Sequence, residues 1–210
     1  MNKLYLHALP VRVWHWFNTL CFLVLIITGA QIRYRGSLDL MPFQTAVDVH
    51  NFFGFGLAGG FLFWALYYIA SGKMKLYIPD LLHIGNYLLA SLKQAQYYGY
   101  GIFVGEKNPH HATPENKFNP MQQIAYFSIM FFLLPAQIVT GVLLWDLDRF
   151  AGVIDLAGGI KIVSGAHMLL TLFFTAFLFV HVYLTTLGHT PLEHIKAMFT
   201  GYEEEPEHGR

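Results

Sequence analysis

The chain has 210 residues, of which 55% are hydrophobic and 12% are charged, against about 25% charged in an ordinary soluble domain. Thirteen Lys and Arg residues balance thirteen Asp and Glu residues, so no net basic charge exists to attract nucleic acid. One cysteine, Cys21, cannot form an internal disulfide, hold an iron–sulfur cluster or attach a c-type haem. The composition excludes a water-soluble globule and indicates an integral membrane protein.

Four continuous apolar segments are each long enough to cross a hydrocarbon core of about 30 Å as a helix. Because their residues do not alternate between apolar and polar, they predict helices and not a barrel. No small-residue cleavage site follows the first segment, so it is predicted to be a retained span and not a secretory signal. The predicted fold is all-α, with one four-helix transmembrane domain over 1–202, a polar tail over 203–210, and spans at about 13–32, 49–70, 121–145 and 162–187.

Lys and Arg are distributed unequally between the two sides that four spans define. The two short loops hold four, which are Arg33, Arg35, Arg149 and Lys161. The N-terminus, the long central loop and the tail hold nine, which are Lys3, Arg12, Lys73, Lys75, Lys93, Lys107, Lys117, Lys196 and Arg210. By the positive-inside rule, both termini and the central loop are predicted to face the cytoplasm.

The central loop contains a helical pattern of its own. Pro79 and Asp80 form a helix-start signal, and apolar residues then recur at helical spacing at Leu81, Ile84, Leu88, Leu92 and Ala95. This pattern predicts a helix that lies at the cytoplasmic membrane surface. A surface helix of a small cytoplasmic cap is the alternative.

Four histidines, His15, His50, His167 and His181, fall inside or at the ends of the spans. Ionisable side chains inside a membrane are costly and often functional, although any single one could instead be a hydrogen-bond donor between helices. His167 and His181 share one face of the fourth span but lie about 21 Å apart along its axis, so they cannot ligate the same group. Depth pairs His15 with His181 and His50 with His167.

Two imidazoles that face each other match the axial ligands of a haem better than a zinc site, which needs three or four ligands. The H-E-x-x-H protease signature is absent. Two axial histidines leave iron no open position, so the predicted chemistry is one-electron transfer. Glycines near these positions would let a flat ring approach the backbone, or would serve helix packing; they are Gly29, Gly54, Gly59, Gly60, Gly141 and Gly165.

Haem propionates require nearby cations. Arg12, one turn before His15, is the candidate on the cytoplasmic side. On the outer side, Arg33 and Arg35 are candidates, and they could equally be topological charges.

Several sequence pieces together resemble the diheme cytochrome b membrane subunits, which include those of formate dehydrogenase (gamma), thiosulfate reductase and nickel–iron hydrogenase. The resemblance covers nearly the whole chain. Its most specific element is the four-histidine pattern with H-x13-H, since short pieces such as T-G-V-L-L-W are weak alone. The pieces are R-V-W-H-W-F-N at 12–18, T-G at 28–29, H-x-x-x-G at 50–54, K-F-N-P-M-Q-Q at 117–123, T-G-V-L-L-W at 140–145 and H-x13-H at 167–181.

The resemblance implies a four-helix bundle that holds two b-type haems, with the four histidines as axial iron ligands. It also implies electron exchange with menaquinone or ubiquinone beside the cytoplasmic haem, at an asparagine that corresponds to Asn119. His181 would border that pocket, and Lys117 and Gln123 are nearby polar candidates. The position of Asn119 before Pro120 also suits a helix N-cap, and both roles can hold together.

The leading hypothesis is a quinone-reactive subunit of a respiratory oxidoreductase complex in the bacterial cytoplasmic (inner) membrane, which transfers electrons but does not itself convert the external substrate. Its partners would be membrane lipid, quinone, and an iron–sulfur, molybdenum or nickel–iron catalytic subunit or a multihaem cytochrome. The central loop is longer than in the formate dehydrogenase pattern, so the partner stays open. One alternative is a stand-alone cytochrome b that exchanges electrons with a small oxidant or a soluble or multihaem cytochrome. Another is a haem-free anchor or transporter.

Overall fold

The computed structural model describes residues 3–80, 82–110, 113, 116–187, 190 and 192–204. The elements, in chain order, are β1 (Lys3–Tyr5), α1 (Leu9–Arg33), α2 (Phe43–Ala70), α3 (Ile84–Gly99), α4 (Pro120–Ser128), α5 (Leu134–Trp145), α6 (Ala151–Leu156), α7 (Ile160–Thr185), α8 (Glu193–Thr200) and β2 (Tyr202–Glu204). Short 3-10 turns occupy Met74–Leu76 and Gly101–Val104, and a π-helical segment, Ile129–Leu133, joins α4 to α5.

The four predicted spans are confirmed as α1, α2, the continuous run Pro120–Trp145, and α7, each long and apolar enough to cross a membrane. The second span begins at Phe43 and not near residue 49. Polar residues such as Asp48 lower the hydropathy of its first two turns, so the sequence pattern placed the start too late. His50 therefore lies about two turns inside α2 and does not open it.

The four helices pack as two pairs, α1 with α2 and α5 with α7, and α2 also contacts α5. Aromatic side chains fill much of the centre, where Trp64 and Phe174 are almost fully buried. Large apolar side chains such as Leu66 and Phe179 point outward and are exposed. Because lipid tails are as apolar as these side chains, their exposure is compatible with a bundle surrounded by hydrocarbon.

The close approach of α1 and α2 depends on Gly60. The indole Nε1 of Trp14 donates to the carbonyl of Gly60 at 2.7 Å, and the amide of Asn18 lies directly against the glycine. A Cβ atom at position 60 would lie 3.0 Å from Nδ2 of Asn18, which is 7% exposed. A larger residue would therefore have to displace a buried side chain.

Pro135 lies inside the third span without interrupting it. A proline in a helix lacks an N–H group and crowds the carbonyl four residues earlier, which is that of Phe131. Phe131 belongs to the π-helical segment Ile129–Leu133, whose wider turn accommodates the proline. The span continues as α5, which carries residues of the site described below.

The predicted helix of the central loop is confirmed as α3, although it begins at Ile84. In the turn before it, Oδ1 of Asp80 accepts the backbone N–H groups of Leu82 and His83, at 3.1 and 3.3 Å. Asp80 therefore caps this turn, and the helix begins after it. Leu81 lies outside the described residues.

The faces of α3 are inverted relative to a helix on a soluble core. Leu88 and Leu92 of the predicted apolar stripe are exposed, whereas Ser91 and Gln94 are buried. The helix packs against α4, so its polar side faces the protein. An outward apolar face suits contact with lipid, and the location of α3 at the membrane surface stays a prediction.

The two ends of the chain meet at one end of the bundle. β1 pairs antiparallel with β2, with Tyr5 opposite Tyr202. Glu203 and Glu204, which the sequence assigned to a polar tail, belong to β2, while 205–210 lie outside the described residues. α8 is held on α1 by Trp16, whose ring stacks on Phe199 at 4.4 Å.

We predict that Gly60→Leu destabilises the α1–α2 contact by about 1–3 kcal/mol, because the new side chain overpacks against Asn18. The neighbouring Gly59→Leu is a matched control, since Gly59 is exposed and no described atom lies within 4 Å of its Cβ position. Thermal unfolding in detergent should show a lower midpoint for Gly60→Leu alone. Equal midpoints for the two variants would contradict this account.

Candidate functional site

The structure brings the four intramembrane histidines together as two pairs. His15 on α1 faces His181 on α7, with ring centroids 6.2 Å apart. His50 on α2 faces His167 on α7, with ring centroids 6.4 Å apart. Because α7 is one unbroken helix, its two histidines are separated by about 21 Å along the axis. The pairs here are called the inner pair (His15, His181) and the outer pair (His50, His167).

The separations within both pairs fit one metal atom held between two rings. A metal–imidazole bond of about 2.0 Å and a centroid about 1.1 Å behind the bonding nitrogen put two opposed rings about 6.2 Å apart. Within the described ranges, no group of three or more His, Cys, Asp or Glu side chains could hold a metal ion. Two-ligand axial binding of haem iron therefore fits better than a zinc site.

A cleft lined by the rings of both His50 and His167 lies at the outer pair. Gly54 and Phe174 contribute to its mainly apolar lining. Gln137 also lines it, with its amide nitrogen 3.2 Å from Nε2 of His167 and its Oε1 buried without a described hydrogen-bond partner. A cleft of this kind suits a flat apolar ring.

Two threonines that the sequence analysis did not single out bond to the rings of the outer pair. Oγ1 of Thr28 lies 2.9 Å from Nδ1 of His50, and Oγ1 of Thr140 lies 3.0 Å from Nδ1 of His167. The repeated T-G dipeptide, at 28–29 and 140–141, was the only signal in the sequence. Each threonine lies on a different helix from the histidine it contacts, so no local pattern could reveal the bond.

The six glycines expected beside a haem divide into different roles. Gly29 and Gly141 contact histidine rings, since a Cβ at either position would lie 3.2 Å from Cε1 of His50 or His167. Gly60 instead packs on Asn18, so for it the helix-packing alternative is correct. Gly54 lines the cleft, whereas Gly59 and Gly165 are exposed, with no described atom within 4 Å of their Cβ positions.

The arginines proposed as propionate partners have other contacts as well. Arg12 donates from Nη1 to the carbonyl of Phe199, at the end of α8, while its buried Nε has no partner in the described structure. Arg33 lies near the outer pair, because its Nε contacts Sδ of Met168 at 3.3 Å. The guanidinium of Arg35 lies 4.4 Å from the ring centroid of Phe43.

Asn119 is 3% exposed and forms the N-cap of α4. Its Oδ1 accepts the N–H of Gln122 at 2.8 Å, and Oε1 of Gln122 accepts the N–H of Asn119 at 3.1 Å, which completes a capping box. Its Nδ2 donates to the hydroxyl of Tyr98 at 3.1 Å. The helix-cap role expected from the sequence is confirmed, and among the described residues the second hydrogen on Nδ2 has no acceptor.

Gln123, a lower-ranked quinone candidate, ties the central loop to α4. Its Nε2 donates to the carbonyls of Leu76 and Ile78, at 2.9 and 3.0 Å. Its Oε1 accepts from the hydroxyl of Tyr87 at 2.6 Å. Its amide is therefore occupied by structural hydrogen bonds.

Charged and titratable groups gather beside the inner pair. Burial and the charge of Lys73 lower the pKa of Lys117 to about 8. Burial, and then the charge of Lys117, lower the pKa of His7 to about 4, and His15 adds to this effect. Lys117 and His15 are therefore each within electrostatic range of His7, although the three residues come from separate segments.

His194 and Glu203 form an ion pair in the same region, with Nδ1 2.9 Å from the carboxylate oxygen. The hydrogen bond to Glu203 is the main cause of a raised pKa of His194. The sequence alone indicated no role for His7 or for this pair, because these residues come together only where the two chain ends meet.

Comparison with known proteins agrees with the haem geometry. The family model described as prokaryotic cytochrome b561 matches residues 6–201. The Escherichia coli (strain K12) protein named "Putative cytochrome YdhU" is 34% identical over 202 residues, which cover 96% of this chain and 75% of that protein. No solved structure matches the chain.

The family match includes all four spans and all four histidines of the two pairs. It therefore rules out the haem-free anchor or transporter, and it agrees with the resemblance carried by the sequence motifs. The chain belongs to the prokaryotic cytochrome b561 family and is a membrane cytochrome that binds b-type haem and transfers electrons.

Proposed function

We propose that this protein holds two b haems and exchanges electrons between a quinone pool and a partner redox protein. The observation that supports this most directly is the presence of two imidazole pairs, with ring centroids 6.2 and 6.4 Å apart. α7 contributes one ring to each pair, at two different depths. Bound between two histidines, haem supplies one-electron transfer, because no open iron position remains.

Buried aromatic side chains fill the bundle between the two pairs. Phe174 lies seven residues from each histidine of α7 and is 3% exposed. Its ring packs against that of Phe22 on α1, with centroids 5.5 Å apart. These aromatic side chains exclude water from the middle of the bundle, while α7 holds one ligand for each haem at a fixed separation.

We place quinone beside the inner pair, with Asn119 as its hydrogen-bond donor. The position of His7, which the charges of both Lys117 and His15 affect, is compatible with a 117–119 segment on the same side of the bundle as that pair. The free hydrogen of Nδ2 can be donated to a quinone carbonyl. Reduction of quinone to quinol takes two electrons and two protons. A site beside a haem and near the aqueous boundary is favourable, because the haem can supply the electrons and water can supply the protons.

Cations near each pair support two propionate sites. On the inner side Arg12 offers a buried Nε without a described partner, and Lys117 offers an amine whose charge burial disfavours. On the outer side Arg33 is held next to Met168, the neighbour of His167. A propionate on the inner side would neutralise a partly buried cation, and one on the outer side would pair with the exposed guanidinium of Arg33.

In this proposal both termini and the central loop face the cytoplasm, and the protein lies in the bacterial cytoplasmic membrane. Electron transfer between outer and inner haems would then move charge across the bilayer, coupling the reaction to the membrane potential at about 2.3 kcal/mol per charge per 100 mV.

We predict two haems per chain by the pyridine haemochrome assay. His15→Ala and His181→Ala should each remove the same haem, and His50→Ala and His167→Ala the other, because each pair shares one iron. His194→Ala is a control, since its ring bonds to Glu203 and belongs to neither pair. One haem per chain in the unmodified protein would refute the proposal.

We predict that Asn119→Asp slows haem reduction by quinol about 10-fold or more, because it removes a hydrogen-bond donor from a buried site. An aspartate still caps α4, so folding should be preserved. Gln122→Ala is the matched control, because it breaks the other half of the capping box and leaves the Asn119 amide intact. Unchanged quinol reaction in Asn119→Asp, or a quinone-site inhibitor that alters the outer haem spectrum, would contradict the placement.

Co-purification from native membranes separates the two forms of this proposal. A respiratory-complex subunit should co-purify stoichiometrically with an iron–sulfur, molybdenum or nickel–iron catalytic protein. A stand-alone cytochrome b should purify alone and still be reduced by quinol. Haem content and quinol reduction of the same preparation confirm in each case that the isolated protein is intact.

A further inference from the structure

We propose that Thr28 and Thr140 are positioning residues for the outer haem: they fix the axial imidazoles through their Nδ1 atoms and make the outer haem harder to reduce than the inner one. This inference rests on the proposed two-haem function. It concerns hydroxyl groups that contact histidine side chains from neighbouring helices, at 2.9 and 3.0 Å.

The direction of each hydrogen bond follows from the single hydroxyl proton. Oγ1 of Thr28 lies 2.7 Å from the carbonyl of Val24, and Oγ1 of Thr140 lies 2.8 Å from the carbonyl of Ala136. A carbonyl can only accept, so it takes the hydroxyl proton. The threonine oxygen must then accept from the histidine, which puts the ring proton on Nδ1 and leaves Nε2 with its lone pair. At His167 this lone pair faces the amide nitrogen of Gln137 at 3.2 Å, which a metal would have to displace.

A glycine next to each threonine restricts the same ring. A Cβ atom at Gly29 or Gly141 would lie 3.2 Å from Cε1 of the histidine, so the absence of a side chain lets the backbone lie close to the ring. Each ring is therefore bonded at Nδ1 and held against backbone beside it. The arrangement occurs twice, with α1 holding the histidine of α2 and α5 holding the histidine of α7.

The inner pair lacks this support at His15. Its Nδ1 is buried and has no hydrogen-bond partner within the described part of the chain. The nearest comparable threonine, Thr19, donates to the backbone carbonyl of His15 and not to its ring. The two pairs therefore differ in the groups that surround their ligands, although both consist of two histidines.

A hydrogen-bond acceptor at Nδ1 raises the basicity of the imidazole, and a more basic ligand stabilises the more highly charged, oxidised iron. Two such bonds at the outer pair should lower its midpoint potential relative to the inner pair. An electron shared between the two would then favour the inner side, where we place quinone.

The test is redox potentiometry of the purified holoprotein, with visible and EPR spectra of the low-spin haems. Thr28→Val and Thr140→Val remove the acceptor at nearly constant volume. Each should shift the equilibrium constant for outer-haem reduction about tenfold toward the reduced form, equivalent to about 59 mV for one electron. In a His15→Ala background only the outer haem remains, so its potential is measured without overlap.

The matched control is Thr175→Val, because the Thr175 hydroxyl donates to the carbonyl of Thr171 on its own helix and, among the described residues, forms no hydrogen bond with a histidine ring. Thr28→Ser and Thr140→Ser keep the hydroxyl and should retain the native potential. If a valine variant loses the outer haem, native binding in the serine variant supports the role of the hydroxyl.

Unchanged outer-haem potentials in valine variants that retain haem would overturn the proposal, leaving the threonines as helix-packing contacts only. Equal shifts, or equal haem losses, in valine and serine variants would also overturn it, because the hydroxyl would then not be the cause. Failure of the two-haem function is recognised separately, as one haem per chain in the unmodified protein.

Discussion

The membrane-spanning helices carry four imidazoles, which are costly to expose to hydrocarbon, and each imidazole lies opposite another one inside the bundle. α7 contributes one ring to each pair, and its constant rise per residue keeps the pairs about 21 Å apart. α1 and α2 supply the opposing rings, His15 and His50. The relative rotation of these three helices places the two rings of each pair opposite each other.

The two ends of this frame are built differently. At the outer pair, threonine hydroxyls and glycines from neighbouring helices hold both rings, and the surrounding cleft is mainly apolar. At the inner pair, support comes from the two chain ends, where α8 docks on α1 through Trp16 and Arg12. Rigid, dry surroundings suit electron transfer alone, whereas nearby polar groups suit a reaction that also moves protons.

The inverted faces of α3 also place polar side chains inside the protein, as at the inner pair. Its buried polar side chains lie toward α4, which begins at the Asn119 cap, and its apolar side chains face outward. Tyr98 connects the helix to Asn119, and Tyr87 connects it to Gln123. A helix packed in this way gives a polar interior beside an apolar outer surface, which agrees with the prediction that α3 lies at the membrane surface and with the proposed quinone substrate.

The sequence by itself determined the number of spans and the pairing of the four histidines by depth, because membrane thickness and helical rise are one-dimensional constraints. It also supplied the N-cap of α4. It missed the first two turns of α2, so His50 lies deeper in that helix than the hydropathy indicated. Only the tertiary structure decided which side chains meet across helices: Thr28 with His50, Gly60 with Asn18, and the two chain ends in a sheet. Helices that are apolar on all sides carry little information about their rotation, so contacts between them emerge only when the bundle packs.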